Sequence, residues 1–332
     1  MSRYALGLVV GVLALGAASP PVEAQKLVIR VRADGRLDVP PPAPGALIRY
    51  TLDGSDPGRD AGVWLAPVEV PPGYTLKARA FAPDGTAAGD IAVHVGPPPP
   101  SGVRRPSTLV PVTQNRDWRL YDWAERHAQA TALMKARQPE IVMLGDSITH
   151  FWGGEPVGGR RTGVAVWDRV FAGRRVVNLG YGWDRTENAL WRLTHGELEG
   201  VSPKVVVVLI GTNNLTLNTP GEIAAGIEAI CAEIHRRSPA SRILLLGLLP
   251  RGERPNDDRT AVNEVNRRIA ALEGRHGVAF LDIGSRFVAA DGTISKDVMY
   301  DFLHPSAKGY AIWSDAMAPT LTALLARRAG PG

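Results

Sequence analysis

A single cysteine, Cys231, in 332 residues excludes an intramolecular disulfide and any cysteine-based metal cluster. It shares a helical face with Ile223, Ile227, Ile230 and Ile234, which marks it as a buried structural thiol. Long apolar runs are scarce as well. Apart from the N-terminus, no segment approaches the roughly 20 apolar residues of a spanning helix, so stable membrane insertion is not expected. Charge of one sign is never concentrated. The net charge is only +5, and the arginines come as scattered pairs at 104–105, 160–161, 174–175 and 236–237. Phosphate recognition needs a dense patch, so a nucleic-acid partner is not expected. Asp301 and His304 could form half a metal site, but no second His or Cys lies at ligand spacing, and no metal is expected.

What is present begins with an export signature. Arg3 precedes an apolar stretch from Ala5 to Ala17, and Val22-Glu23-Ala24 ends in the small residue that a signal peptidase requires. Residues 1–24 are read as a signal peptide, with a secreted or periplasmic mature chain. The stretch is too short for an anchor, and no cysteine follows it to take a lipid.

Two composition shifts divide the rest. Segments 27–31, 47–52, 74–81 and 91–95 alternate like short strands between Asp-Gly and Pro-Asp-Gly turns, which predicts a small all-β sandwich over 25–95. Residues 96–112 are rich in Gly and Pro and are read as a semi-rigid spacer. From 113 to 328 the pattern becomes strand–helix alternation. Runs at 141–144, 176–179, 205–210, 243–248 and 278–281 are nearly continuously apolar, as in strands buried on both faces of a parallel sheet. Thr219-Pro220-Gly221-Glu222 is a helix-starting capping box, and Asp184-Arg185-Thr186-Glu187 has the same form. The body is therefore expected to be a three-layer α/β/α domain.

The chemistry-bearing residues fall just after successive strands, where a parallel sheet opens to ligands. Gly145-Asp146-Ser147 follows the first, 180–184 the second and Gly211-Thr212-Asn213-Asn214 the third, while Asp301-Phe302-Leu303-His304 lies in the last loop. Acyl transfer needs a nucleophile, a base, an orienting acid and oxyanion donors. Ser147, His304 and Asp301 are candidates for the first three, and Asn213 offers a side-chain donor. Imidazole titrates near neutral pH, so a histidine base predicts activity that falls on acidification. Each piece alone also has a plain structural reading, Gly-Asp-Ser and Asn213-Asn214 as turns and Trp152, Trp167 and Trp191 as core. Their order, one per strand end, favours a site.

These four blocks resemble, in order, those of the SGNH or GDSL hydrolases. The stretches 191–199, 246–256 and 291–295 are similar to the catalytic subunits of the intracellular platelet-activating-factor acetylhydrolases. The resemblance implies a flavodoxin-like fold with five parallel strands, a Ser147–His304–Asp301 triad and no cofactor. It implies an oxyanion hole from the Ser147 backbone N–H, the Asn213 amide and a second-block backbone N–H. The family's second-block glycine is replaced by Trp183, whose N–H survives the change, with Gly182 as the fallback donor. The resembled subunits pair with one another, which suggests a homodimer. Residues 48–57 and 76–81 resemble the accessory β-sandwich of chitobiase-type glycosidases.

The expectation is an exported serine esterase acting on short acyl esters, foremost acetyl, of a carbohydrate. A lipid or phospholipid acetylhydrolase and a non-catalytic carbohydrate-binding protein are the alternatives. An esterase is expected to keep its turnover of a soluble ester when residues 25–100 are removed.

Overall fold

The computed structural model describes residues 26–326, so the expected signal peptide lies outside the described residues. The N-terminal module is all-β. A two-stranded ribbon, β1 (Arg30–Val31) and β2 (Leu37–Asp38), accompanies an antiparallel sheet. That sheet comprises β3 (Leu47–Thr51), β4 (Gly62–Val63), β5 (Thr75–Phe81) and β6 (Ala87–Val95) in the order β4-β3-β5-β6. Alternation along β3 and β5 sends Ile48, Tyr50, Leu76, Ala78 and Ala80 inward, where they meet Leu27, Leu37 and Val39. The expected first strand is cut short, because Leu27 packs into this core and only Arg30 and Val31 pair.

The larger body holds a five-stranded parallel sheet. Its strands are β7 (Ile141–Gly145), β8 (Val176–Gly180), β9 (Val205–Leu209), β10 (Arg242–Leu246) and β11 (Val278–Leu281). Their order is β11-β10-β9-β7-β8, the flavodoxin-like arrangement. Strands β7, β8 and β9 are buried at every residue, as the unbroken apolar runs of β7 and β9 require, and Asn178 in β8 is buried with its side chain hydrogen-bonded. Each fully buried Val or Leu in them stabilises the fold by about 1.5–3 kcal/mol. Of the two edge strands, β8 is buried throughout and β11 is only partly covered.

Helices lie on both faces of the sheet. They are α1 (Trp123–Arg137), α2 (Ser147–His150), α3 (Val164–Val170), α4 (Thr186–Arg192), α5 (Pro220–Arg237), α6 (Asp257–Ile269) and α7 (Ala307–Ala326). α5 shows why these segments coil. Thr219 and Glu222 form the reciprocal capping box, Pro220 takes the first turn, and His235, Arg236 and Arg237 oppose the dipole at the end. Its buried face is Ile223, Ile227, Ile230, Cys231 and Ile234, as the spacing predicts, and burial pushes the Cys231 thiol up to about 12. The expected box at Asp184 does not form. α4 starts at Thr186, the Arg185 N–H donates to Asn188 Oδ1 at 2.9 Å, and Asp184 turns inward instead.

The Pro-rich stretch is less of a spacer than its composition suggests. Its second half is docked on the hydrolase body: Thr108 is fully buried, its hydroxyl donates to Glu222 O at 2.8 Å, and Asn188 Nδ2 donates to Val112 O at 2.8 Å. Its backbone groups find partners on α4 and the Thr108 hydroxyl finds one on α5, so the chain lies down rather than swinging free.

Candidate active site

Parallel register brings the loops together. Gly145 pairs with Gly180 on one side and with Leu209 on the other, so the blocks after β7, β8 and β9 leave the sheet at one level. The approach at Gly145 is close. A Cβ there would lie 2.2 Å from Thr149 Oγ1 and 2.4 Å from Leu209 O, so no side chain fits. Ser147 opens the short helix α2, with the Asp146 carboxylate accepting from the Ile148 N–H at 2.9 Å. The Ser147 N–H belongs to the first turn of α2, where helices leave N–H groups unpaired. Burial pushes the Asp146 carboxyl up to about 7.

The last loop brings His304 to Ser147. His304 Nε2 lies 2.9 Å from Ser147 Oγ, and His304 Nδ1 lies 2.7 Å from Asp301 Oδ2. A tight turn with Phe302 at φ +62° closes between acid and base. Asp301 Oδ1 accepts the backbone N–H groups of Leu303 and His304 at 3.1 and 2.7 Å. Partial burial pushes the Asp301 carboxyl up, but these bonds and the imidazole outweigh it and hold it below the ordinary range. An ionised carboxylate only accepts, so Nδ1 carries the proton, Nε2 accepts, and the Ser147 hydroxyl donates to it. Phe151 and Tyr300 flank the ring at centroid distances of 5.1 and 5.9 Å.

The expected oxyanion residues divide. Trp183 adopts φ +63°, a backbone state that suits glycine, and its side chain is 51% exposed. Its N–H has no partner among the described residues. Gly182 cannot serve as the fallback donor, because its N–H donates to His150 Nδ1 at 3.2 Å. A side chain at Gly182 would also collide with Asp117 Oδ2, 2.2 Å from its Cβ position. Asn213 donates one amide hydrogen to Asp184 O at 2.9 Å, which leaves its second for a ligand. Of the expected second- and third-block donors, the Trp183 N–H and one Asn213 amide hydrogen thus stay unpartnered, whereas the Gly182 N–H is taken.

Several supporting residues carry no sequence motif. His150 is buried, and burial with Arg126 and Arg192 nearby drives its imidazole well below the usual range, so it stays neutral and accepts from Gly182. Arg126 donates to the carbonyls of Gly180, Pro156 and Asn178. Arg192, fully buried, bridges Asp184 at 2.8 Å and Glu197 at 2.5 Å and lies 3.9 Å over the Tyr181 ring. Burial pushes the Asp184 carboxyl up against the pull of Arg192, whereas at Glu197 the Arg192 guanidinium and His127 overcome burial and hold it down. Buried arginines are legible only as charges in an apolar helix, and Arg192 in α4 was such a signal. Trp152, Trp167 and Trp191 are core, as their apolar surroundings suggest. Among the described residues no three His, Cys, Asp or Glu side chains converge to hold a metal ion.

Comparison with known proteins bears on this arrangement. A family model described as GDSL-like Lipase/Acylhydrolase family matches residues 143–312, and one described as Fn3 associated matches 42–94. The platelet-activating factor acetylhydrolase IB subunit alpha1 of Homo sapiens is 39% identical over 211 residues, which cover 63% of this chain and 87% of the relative. The alpha2 subunit of Rattus norvegicus is 40% identical over 190 residues, 57% of this chain and 79% of the relative. A GDSL-like lipase from Bacteroides thetaiotaomicron superposes with a TM-score of 0.48 at 18% identity, covering 61% of this chain and 99% of that one. With the matched family model spanning the blocks at Ser147, Gly182, Asn213 and His304, the chain belongs to the GDSL-like lipase/acylhydrolase family and is an ester hydrolase.

Proposed function

We propose that the protein is an exported serine esterase that removes short acyl groups, foremost acetyl, from O-acetylated carbohydrate through an acyl-Ser147 intermediate. The observation that carries the mechanism is the continuous relay from Ser147 Oγ to His304 Nε2 at 2.9 Å and from His304 Nδ1 to Asp301 at 2.7 Å. Ser147 Oγ attacks the ester carbonyl as its proton passes to Nε2. The new oxyanion takes the Ser147 and Trp183 N–H groups and the free Asn213 amide hydrogen. As the tetrahedral adduct collapses, Nε2 returns the proton to the leaving alkoxide. Water then attacks the acyl group with the same histidine as base, releasing the acid and restoring Ser147.

Two features support the acetyl and carbohydrate reading. The relatives at 39–40% identity are named as acetylhydrolases. The rim carries a half-exposed indole at Trp183, a flat face suited to a sugar ring, and a polar neighbour in Arg160, whose guanidinium sits 5.3 Å from the Phe151 centroid. Export rests on the N-terminal signature. The second reading, a lipid acetylhydrolase, is favoured by those same relatives, whose name specifies a lipid.

The deciding experiment compares wild type with Ser147→Ala on p-nitrophenyl acetate and octanoate, then on acetylated xylan and on an acetylated phospholipid in micelles. Serine-dependent release favouring acetate, with acetate freed from xylan, is the expected result. Release from the micellar lipid alone would replace the carbohydrate reading, and no serine-dependent release from any ester would overturn the mechanism.

A further inference from the structure

Three consecutive carbonyls of the second-block turn are held from behind, and two of them by one short segment. Gly182 O accepts from Gln114 Nε2 at 2.9 Å and from the Tyr121 hydroxyl at 2.9 Å. Trp183 O accepts from Arg116 Nη2 at 2.8 Å, and Asp184 O from Asn213 Nδ2 at 2.9 Å. The Gly182 carbonyl and the Trp183 N–H belong to one planar peptide unit and point in opposite directions. Holding the carbonyl therefore aims the N–H. Gln114 cannot be flipped without loss, because its Oε1 accepts the Arg116 N–H at 2.5 Å while its Nε2 also donates to Asp184 Oδ1 at 2.9 Å.

The segment that does this is itself held by the N-terminal module. On one side of Gln114, the Thr113 hydroxyl donates to Val63 O at 2.7 Å and the Thr113 N–H to the Tyr50 hydroxyl at 3.3 Å. On the other side, the Asn115 N–H donates to Asp60 O at 3.1 Å and Asn115 Nδ2 to Arg59 O at 2.8 Å. Tyr50, Thr113, Gln114 and Asn115 are all buried. A chain of buried, hydrogen-bonded polar groups thus runs from the β-module to the Trp183 turn. The turn needs such support, because a bulky residue at positive φ is disfavoured and would relax away if released.

We propose that the N-terminal module is an intramolecular brace for the oxyanion turn, acting through Gln114 and Arg116 as positioning residues. This gives the module a role in turnover rather than in substrate capture. It also reverses the expectation that removing residues 25–100 leaves turnover of a soluble ester intact. The proposal rests on the serine-esterase reading of Ser147 and Trp183.

The test uses full-length Gln114→Ala, Arg116→Ala, Arg116→Lys and the module-side Thr113→Val. With p-nitrophenyl acetate, Gln114→Ala and Arg116→Ala should lower kcat by about 10–10²-fold with KM within about twofold, a loss approaching that of an oxyanion donor. Arg116→Lys should recover part of it, and Thr113→Val should lower kcat by a smaller factor at unchanged KM. Amide exchange over residues 181–185 should accelerate in every affected variant while exchange in the central strands stays at wild-type rates. Wild-type kcat and wild-type exchange in folded Gln114→Ala would overturn the brace, as would a loss confined to KM. Should Gln114→Ala not fold, Arg116→Lys and Thr113→Val decide by the same readings. A wild type without serine-dependent turnover would strike the esterase reading, and the exchange comparison would still decide the brace.

Discussion

His304 Nε2 sits 2.9 Å from Ser147 Oγ across 157 positions of sequence, and the imidazole reaches that point because Asp301, three residues before it, holds both its ring and its backbone N–H. The acid therefore does two jobs: it selects the Nδ1–H tautomer and it shapes the turn that carries the base.

Asp301→Asn separates the two. The amide can still accept a backbone N–H, but it offers no carboxylate to balance an imidazolium and can stabilise the wrong tautomer. kcat for p-nitrophenyl acetate should fall about 10²–10⁴-fold with little change in melting temperature. A near-wild-type kcat would mean that the turn, not the charge, is what matters.

Asn213→Ala removes the bond to Asp184 O and, in the proposed mechanism, a donor to the oxyanion. The expected loss is about 10²–10³ in kcat. A change confined to KM would make Asn213 a contact to the ground-state substrate instead.

Trp183→Gly tests strain against shape. The backbone N–H remains and the positive φ becomes easy, so stability to denaturant should rise by up to about 1 kcal/mol after the entropy of a new glycine is counted. Octanoate should gain on acetate as the indole leaves the rim. A drop in stability would show that the indole contacts outweigh the backbone strain.

Asp146 should make the fold pH-sensitive. Its carboxyl is raised to about 7 in the folded state by burial, against about 3.9 when unfolded. The folded state then binds the extra proton between those values, so this group lowers stability as pH rises through that window. Asp146→Asn keeps the acceptor for Ile148 N–H and loses the titration. Its melting temperature should overtake that of wild type progressively from pH 4 to 8. Parallel curves for the two proteins would show that Asp146 does not titrate in this window.

Much of this was legible locally. The parallel strands announced themselves because strands buried on both faces must be apolar throughout, and β7 and β9 are IVMLG and VVVVL. The cap of α5 was legible because its partners lie three residues apart. Asp184 misled for the same reason. Its spacing fits a capping box, yet Arg192, Trp123 and Gln114 compete for its carboxylate, and only the fold brings them near.

The sequence by itself determined the α/β order, the strand cores and the positions of Ser147, Asn213, Asp301 and His304 in loops, since periodicity and turn chemistry act over a few residues. Only the tertiary structure decided which second-block N–H is free, that Gly182 is occupied by His150, and that residues 113–116 tie the β-module to the Trp183 turn. Those are matters of hydrogen-bond satisfaction between segments up to about 70 residues apart, and a buried donor's partner is chosen by packing, which spacing along the chain does not encode.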